Sequence, residues 1–164
     1  MTQSLGERAL LAVEALLLPV GIANGWNTDA GLQVRVSPVF VDLTKDLYWE
    51  TLVFTNEEQI SGFQGGPVVA VSRRISVGHF ITVATFTATD PGREAQQFQR
   101  IKGDHRKALS PATGGLYDAS GAIGQIEHIG STFIAEKLDT GVMGVSTQIK
   151  VNYIEAWGDP SRAL

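Results

Sequence analysis

The side chains able to do chemistry are few and far apart. The chain has three histidines, His79, His105 and His128, and no cysteine. None of the histidines stands in a His-Glu-x-x-His arrangement or another metal-ligand spacing, so no metal centre is expected. His79 alternates with the apolar positions of a strand and reads as a core or interface histidine. His105 falls on the inner side of a basic helix and reads as a packing residue. His128 could pair with Glu127 or Asp139, but nothing local requires it. Without cysteine, disulfides, thiolate zinc sites and cysteine nucleophiles are all excluded. No Gly-x-Ser-x-Gly elbow occurs, and Gly114-Gly115 lacks the Gly-Lys-Ser/Thr ending of a phosphate loop. Glu57 and Glu58 are adjacent in a polar stretch and read as solvated carboxylates, not an acid–base pair. The expectation is a protein without catalytic residues, cofactor or metal. An enzyme site assembled around His79 or His128 is the alternative from that class.

Charge is more informative than any motif. The net charge of -4 gives the whole surface no attraction for nucleic acid. Its distribution is uneven, however. Between residues 42 and 58 there are five acids (Asp42, Asp46, Glu50, Glu57, Glu58) and one base, Lys45. Between residues 73 and 107 seven bases, Arg100, Arg106 and Lys107 among them, face three acids. The basic segment 93–107 has three readings: a solvated helix face beside an apolar stripe, a nucleic-acid surface, or a docking face for the acidic segment of a neighbouring copy. The second lacks the interleaved aromatics of a base-stacking surface. The third is a head-to-tail contact, which produces a ring if its rotation closes.

The elements that must carry these residues read as an α+β domain. Its sheet is mixed or mainly antiparallel, with about four to five strands and two helices packed on it. The 164 residues are most simply one domain over 1–164. Residues 4–23 form a helix in this reading. Ser4 and Glu7 make a capping box, and Pro19 loosens the last turn. Leu5, Ala9, Ala12, Val13, Leu16, Leu17 and Val20 share its buried face. Leu11 and Leu18 lie on the side of Glu7 and Glu14; they are either scattered surface leucines or a second contact stripe for another subunit. The helix is too short and too interrupted by acids to span a bilayer or to be a typical secretory leader, and is expected to be soluble and uncleaved.

The helix hands over to a strand through a turn at 24–31, rich in Asn, Asp and Gly. Trp26, Asn27 and Asp29 read there as exposed turn residues available to a partner. Strands are expected at 32–36, 47–55, 68–72, 75–87 and 144–157. The 75–87 strand is apolar on both faces, which implies a sheet covered on both sides. Asp90-Pro91 opens the second helix. Its inner face is expected to be Ala95, Phe98, Ile101, Lys102, His105, Ala108 and Leu109. Residues 56–67 and 110–144 read as long loops, the latter with seven glycines. Gly158-Asp159-Pro160 stops the last strand.

Three of these landmarks occur in an order that resembles the tail terminator, or tail completion, proteins of long non-contractile-tailed phages. An N-terminal helix passes through Asn27-Thr28-Asp29-Ala30-Gly31 into a strand near Val34 and Val36. The 75–87 strand runs into a helix started by Asp90-Pro91 and ending near Lys107-Ala108-Leu109. The strand over 148–157 closes with Gly158-Asp159-Pro160. The resemblance implies a structural virion protein with no catalytic residues, made in the host cytoplasm and placed at the head-proximal end of the tail. It implies a hexameric ring that caps the tail tube, stops its polymerisation and presents a surface to neck proteins. DNA would pass through its lumen without specific binding, and no membrane is involved. A head–tail adaptor or a minor tail protein is the neighbouring alternative, and a small nucleic-acid-binding module the distant one. The interface residues expected on these grounds are Leu11, Leu18, Trp26, Asn27, Asp29, Glu57, Glu58, Arg100, Arg106 and Lys107.

Overall fold

The computed structural model describes residues 3–32, 34–36, 50–59, 68–82, 93–111, 114–134, 142–156 and 159–163. Helix α1 (Leu5–Leu17) starts on the expected capping box. The Glu7 N–H donates to Ser4 Oγ at 3.2 Å, and the Ser4 N–H donates to Glu7 Oε2 at 3.3 Å. Regular helix stops at Leu17, short of the expected residue 23, because Pro19 has no N–H with which to continue the ladder. A 3-10 turn, Ile22–Asn24, follows and ends on Gly25 at φ 79°, a left-handed conformation that glycine adopts without steric cost. Leu5, Ala9, Ala12, Val13, Leu17 and Val20 are buried as expected, and Leu10 joins them.

Among the described residues seven strands form one sheet: β1 (Val34–Val36), β2 (Glu50–Gln59), β3 (Val68–Thr82), β4 (Gly115–Asp118), β5 (Gly121–Ile134), β6 (Val142–Ala156) and β7 (Asp159–Ala163). Their spatial order is β1-β2-β3-β6-β5-β4, with β7 also pairing β6. Among these described strands β1 and β2 run parallel, and the other pairs are antiparallel. Helix α2 (Arg93–Ala108) completes an α+β fold.

The expected loops account for the larger strand number. Residues 115–134, expected to be irregular, form the β4–β5 hairpin. Their glycines serve turns and close approaches: Gly121 has φ 119°, and a side chain at Gly124 would strike the Asn152 carbonyl on β6. Residues 56–59 continue β2 instead of opening a loop, and 60–67 lie outside the described residues. The strands expected at 68–72 and 75–87 are one continuous strand as far as Thr82. Residues 83–92, including Asp90-Pro91, lie outside the described residues, as do 37–49 and 157–158. After β6 the chain does not stop but returns as β7, pairing Asp159 with Ala156 and Ala163 with Glu155. Pro160 is tolerated because β7 is a short strand whose partner lies on one side.

Both helices pack on the same face of the sheet. Val71, Ile75, Val77 and His79 of β3 point to that face, as do Val145, Thr147, Ile149, Val151 and Tyr153 of β6. Helix α1 crosses it from β1 to β4, and α2 lies over β6 and β5. On the other face Arg74, Gln125, Glu127, Thr132, Gln148 and Ile154 are exposed, and Ser76 and Ser146 share a 2.8 Å hydrogen bond across β3 and β6. No helix covers that face among the described residues. The expectation of a sheet covered on both sides concerned the 75–87 strand, whose even-numbered face beyond Gly78 lies outside the described residues; Ala70 and Ser72, on the same face of β3, are buried. The side chain of Phe80, on which that expectation partly rested, lies outside the described residues.

Candidate functional site

The turn after α1 is organised by a residue on α2. Asp104 is fully buried. Its Oδ1 accepts from the Asn27 backbone N–H at 3.2 Å and from Asn27 Nδ2 at 2.7 Å. Its Oδ2 accepts from the Thr28 hydroxyl at 2.7 Å, and Thr28 is itself buried. One carboxylate thus takes three hydrogen bonds, which is what allows its burial. A second carboxylate holds the same turn from within: Asp29 Oδ1 accepts from the Ile22 N–H at 2.8 Å. Trp26 is half-buried against the core, and Lys107 Nζ sits 4.1 Å from its ring centroid, a cation–π contact. Gly31 closes the corner. Its N–H donates to the Val20 carbonyl at 2.8 Å, and a Cβ there would meet the backbone of Leu17 and Val20.

A second polar group lies under the middle of α2. His105, fully buried, bonds Thr147 through Nδ1 and Oγ1 at 2.8 Å; Thr147 Oγ1 bonds Ser131 Oγ at 2.8 Å. Ser131 Oγ lies 3.5 Å from His128 Nε2. Burial first, and then the positive charge of Arg106, hold His128 below its usual imidazole value; His105 and Lys102 add to this. A neutral His128 beside a serine is the raw material of a base–nucleophile pair. The 3.5 Å separation is longer than a working hydrogen bond of that kind, and no carboxylate is bonded to His128 among the described residues. As built, the chain of groups satisfies a buried histidine and a buried threonine between α2, β6 and β5.

Above this chain opens a cleft of about 220 Å³, lined by Phe98, Gln99 and Lys102 of α2 and by Ser131, Thr132, Phe133 and Val145. The rings of Phe98 and Phe133 meet edge to face with centroids 4.1 Å apart. Phe133 nevertheless remains 47% exposed, as does Ile129 on the same strand. On the far side of the molecule Arg8 clamps α1 to the β4–β5 turn. Its Nε and Nη2 reach Asp118 Oδ2 and Oδ1 at 2.6 and 2.9 Å. That bidentate bond, above all, holds the Asp118 carboxyl below its usual value. Leu11, Arg8, Tyr117 and Asp118 line a shallow cleft there of about 320 Å³.

The residues expected at an interface fall into four places. Leu11 and Leu18 are 41% and 54% exposed on the outer side of α1, and Ile22 joins them as an exposed apolar residue. Arg100, Arg106 and Lys107 are exposed on α2. Glu57 and Glu58 stand on β2, paired in register with Arg73 and Ser72 of β3. Of the turn residues, Asn27 and Asp29 are exposed but bonded within the chain, and Trp26 is not an exposed turn residue. The expected inner face of α2 also needs correction. Ala95 and Lys102 are exposed, while Asp104 is buried in their stead. The signal for Asp104 was its place in the 101, 104, 105, 108 stripe opposite a donor-rich turn. The Arg8–Asp118 pair spans 110 residues and leaves no local trace.

No protein-family model matches the chain, and no curated protein matches it in sequence.

Proposed function

We propose that this protein is a structural, ring-forming tail protein of the terminator kind, which caps a phage tail tube and offers the joining surface for the head. The observation that carries this reading is the order of three landmarks in the sequence: Asn27-Thr28-Asp29-Ala30-Gly31 after the first helix, Asp90-Pro91 before the second, and Gly158-Asp159-Pro160 after the 148–157 segment. Two features of the fold support it. The body is tied together at its corners by Asp104 and by Arg8–Asp118, which suits a rigid building block. The exposed apolar residues Leu11, Leu18 and Ile22 lie outside the core, where they are available to a partner.

Negative-stain imaging and sedimentation of the purified protein, alone and with tail tube, test the reading. A hexameric ring, or a cap on tube ends with shortened tubes, is the expected result. Monomers under both conditions, with tube length unchanged, overturn it. Placement of the chain in a virion map separates a terminator from an adaptor or a minor tail protein.

A further inference from the structure

Two stripes of side chains meet along the groove between α2 and β5. On α2, Phe98, Lys102 and Arg106 follow one another at four-residue steps, so they share one side of the helix. On β5, Phe133, Ser131 and His128 stand opposite Val145, Thr147 and Ile149 of β6, on the face that α2 covers. Strict alternation would send His128 to the other face, because it is three residues from Ser131. The register shift between His128 and Gly130 prevents this. Ile129 is an extra, unpaired residue, and the bulge it makes returns His128 to the α2 side. Glu127 and Lys150, which pair in register beside it, belong to the opposite face.

The groove is apolar at one end and cationic towards the other. The Phe98–Phe133 pair walls the cleft of about 220 Å³, and Lys102 and Ser131 line the same cleft. His128 comes next, its Nε2 3.5 Å from Ser131 Oγ. Arg106, His105 and Lys102 lie near enough to disfavour a positive charge on His128. Among the described residues no carboxylate offsets them. Asp104, the acid on this stretch of α2, is taken up by Asn27 and Thr28, and neither Lys102 nor Arg106 forms an ion pair. Beneath them a hydrogen-bonded row orients a donor. When His105 Nδ1–H donates to Thr147, the Thr147 hydroxyl donates to Ser131, and the Ser131 O–H is left for the cleft.

We propose that this groove binds a small aromatic oxyanion: an aryl carboxylate, sulfonate or phosphate ester. Its ring lies against Phe98 and Phe133. Its charged group sits at Lys102 and Ser131, backed by Arg106 and His128. The oxyanion supplies the negative charge that the groove lacks, and the ring covers the open half of Phe133. The cleft is smaller than the roughly 300–1,000 Å³ of drug-sized sites, which suits one ring with its charged group. This site is independent of the ring-forming role proposed above.

Benzenesulfonate, whose charge does not change near neutral pH, is the probe, and sulfate and benzamide stand for its two halves. Calorimetry and NMR of the full chain follow the titration. Benzenesulfonate is expected to bind once per chain, about tenfold or more tighter than either half, with the largest shifts at Phe133, Ser131 and His128. Lys102→Gln with Arg106→Gln should weaken it about tenfold or more and leave the melting temperature unchanged, since both side chains are exposed. Phe133→Ala should weaken benzenesulfonate but not sulfate. The bound anion should also raise the His128 titration, so that binding tightens as pH falls through it, and the double variant should lose that rise. Benzenesulfonate bound no more tightly than sulfate makes this a diffuse cationic face and overturns the site. Saturation without shifts at Phe133 and Ser131 places the anion elsewhere and overturns it as well. Duplex DNA held through Lys102 and Arg106, with no saturable benzenesulfonate, makes the stripe a polyanion surface and likewise overturns it. Ring formation is read separately by sedimentation, so failure of this site leaves that reading standing.

Discussion

The carboxylate of Asp104 meets the hydroxyl of Thr28 at 2.7 Å, both buried, and so fastens the turn after α1 to the last turns of α2. Removing the carboxylate would strand the buried Thr28 hydroxyl and take the acceptor from two donors of the exposed Asn27. Asp104→Ala is expected to destabilise the fold by about 2–4 kcal/mol, the range for orphaned buried partners of a charged acceptor. Urea unfolding checks this. A loss under ~1 kcal/mol would mean that water replaces the carboxylate.

Gly31 makes the same corner possible from the other side. A Cβ at that position would press on the Leu17 carbonyl and come within 2.8 Å of the Val20 carbonyl, both backbone atoms that cannot swing aside. Gly31→Ala should cost about 1–3 kcal/mol by overpacking. Gly103, where a Cβ has open space, is the control. Gly103→Ala should be neutral or stabilising by up to ~1 kcal/mol, because it lies inside α2. Thermal melts of the two variants should move in opposite directions.

Acid should weaken the fold in two stages. His128 is held below the ordinary 6.5 by burial and by Arg106, His105 and Lys102, with Ser131 its nearest hydrogen-bonding neighbour. The unfolded chain therefore takes up that proton first, and stability present above pH 6.5 falls as pH drops through the window below it. Asp118 is held below the ordinary 3.8 by Arg8, so its contribution is present above that value and is lost as pH falls beneath it. His128→Gln should flatten the first stage only, and Asp118→Asn the second. Denaturation midpoints from pH 8 to pH 3 read both. A first stage unchanged in the His128 variant would place its origin elsewhere.

Leu11 and Leu18 are half in solvent, so a charge there should leave the melting temperature within the change expected of ~0.5 kcal/mol. If they face a neighbouring subunit or the tube, Leu11→Glu or Leu18→Glu should nonetheless reduce assembly several-fold in sedimentation or tube-capping assays. Unchanged assembly in both variants would remove the outer side of α1 from the interface.

Much of this architecture was legible because it is written between near neighbours. The Ser4–Glu7 capping box, the buried stripe of α1 and the alternation of Val145, Ile149, Val151 and Tyr153 each depend on spacings of two to four residues. The sequence misled where a local signal has two outcomes. Glycines at 114, 115, 121, 124 and 130 read as a loop, but they serve the turn, bulge and close contacts of a long hairpin. Lys102 and Asp104 are both charged, and spacing puts both near the inner stripe of α2. Which of them turns inward depends on whether a partner waits there.

By itself, then, the sequence determined the two helices, the strand alternation, the lack of cysteine chemistry and the separation of acidic from basic segments. All of these follow from composition and short-range periodicity. The tertiary structure alone decided that both helices cover one face, that Asp104 is spent on Asn27 and Thr28, and that Arg8 clamps Asp118. The physical reason is distance along the chain. Polar groups taken out of water need partners, and for Asp104 and Arg8 the side-chain partners lie 76 to 110 residues away, where no local pattern records them.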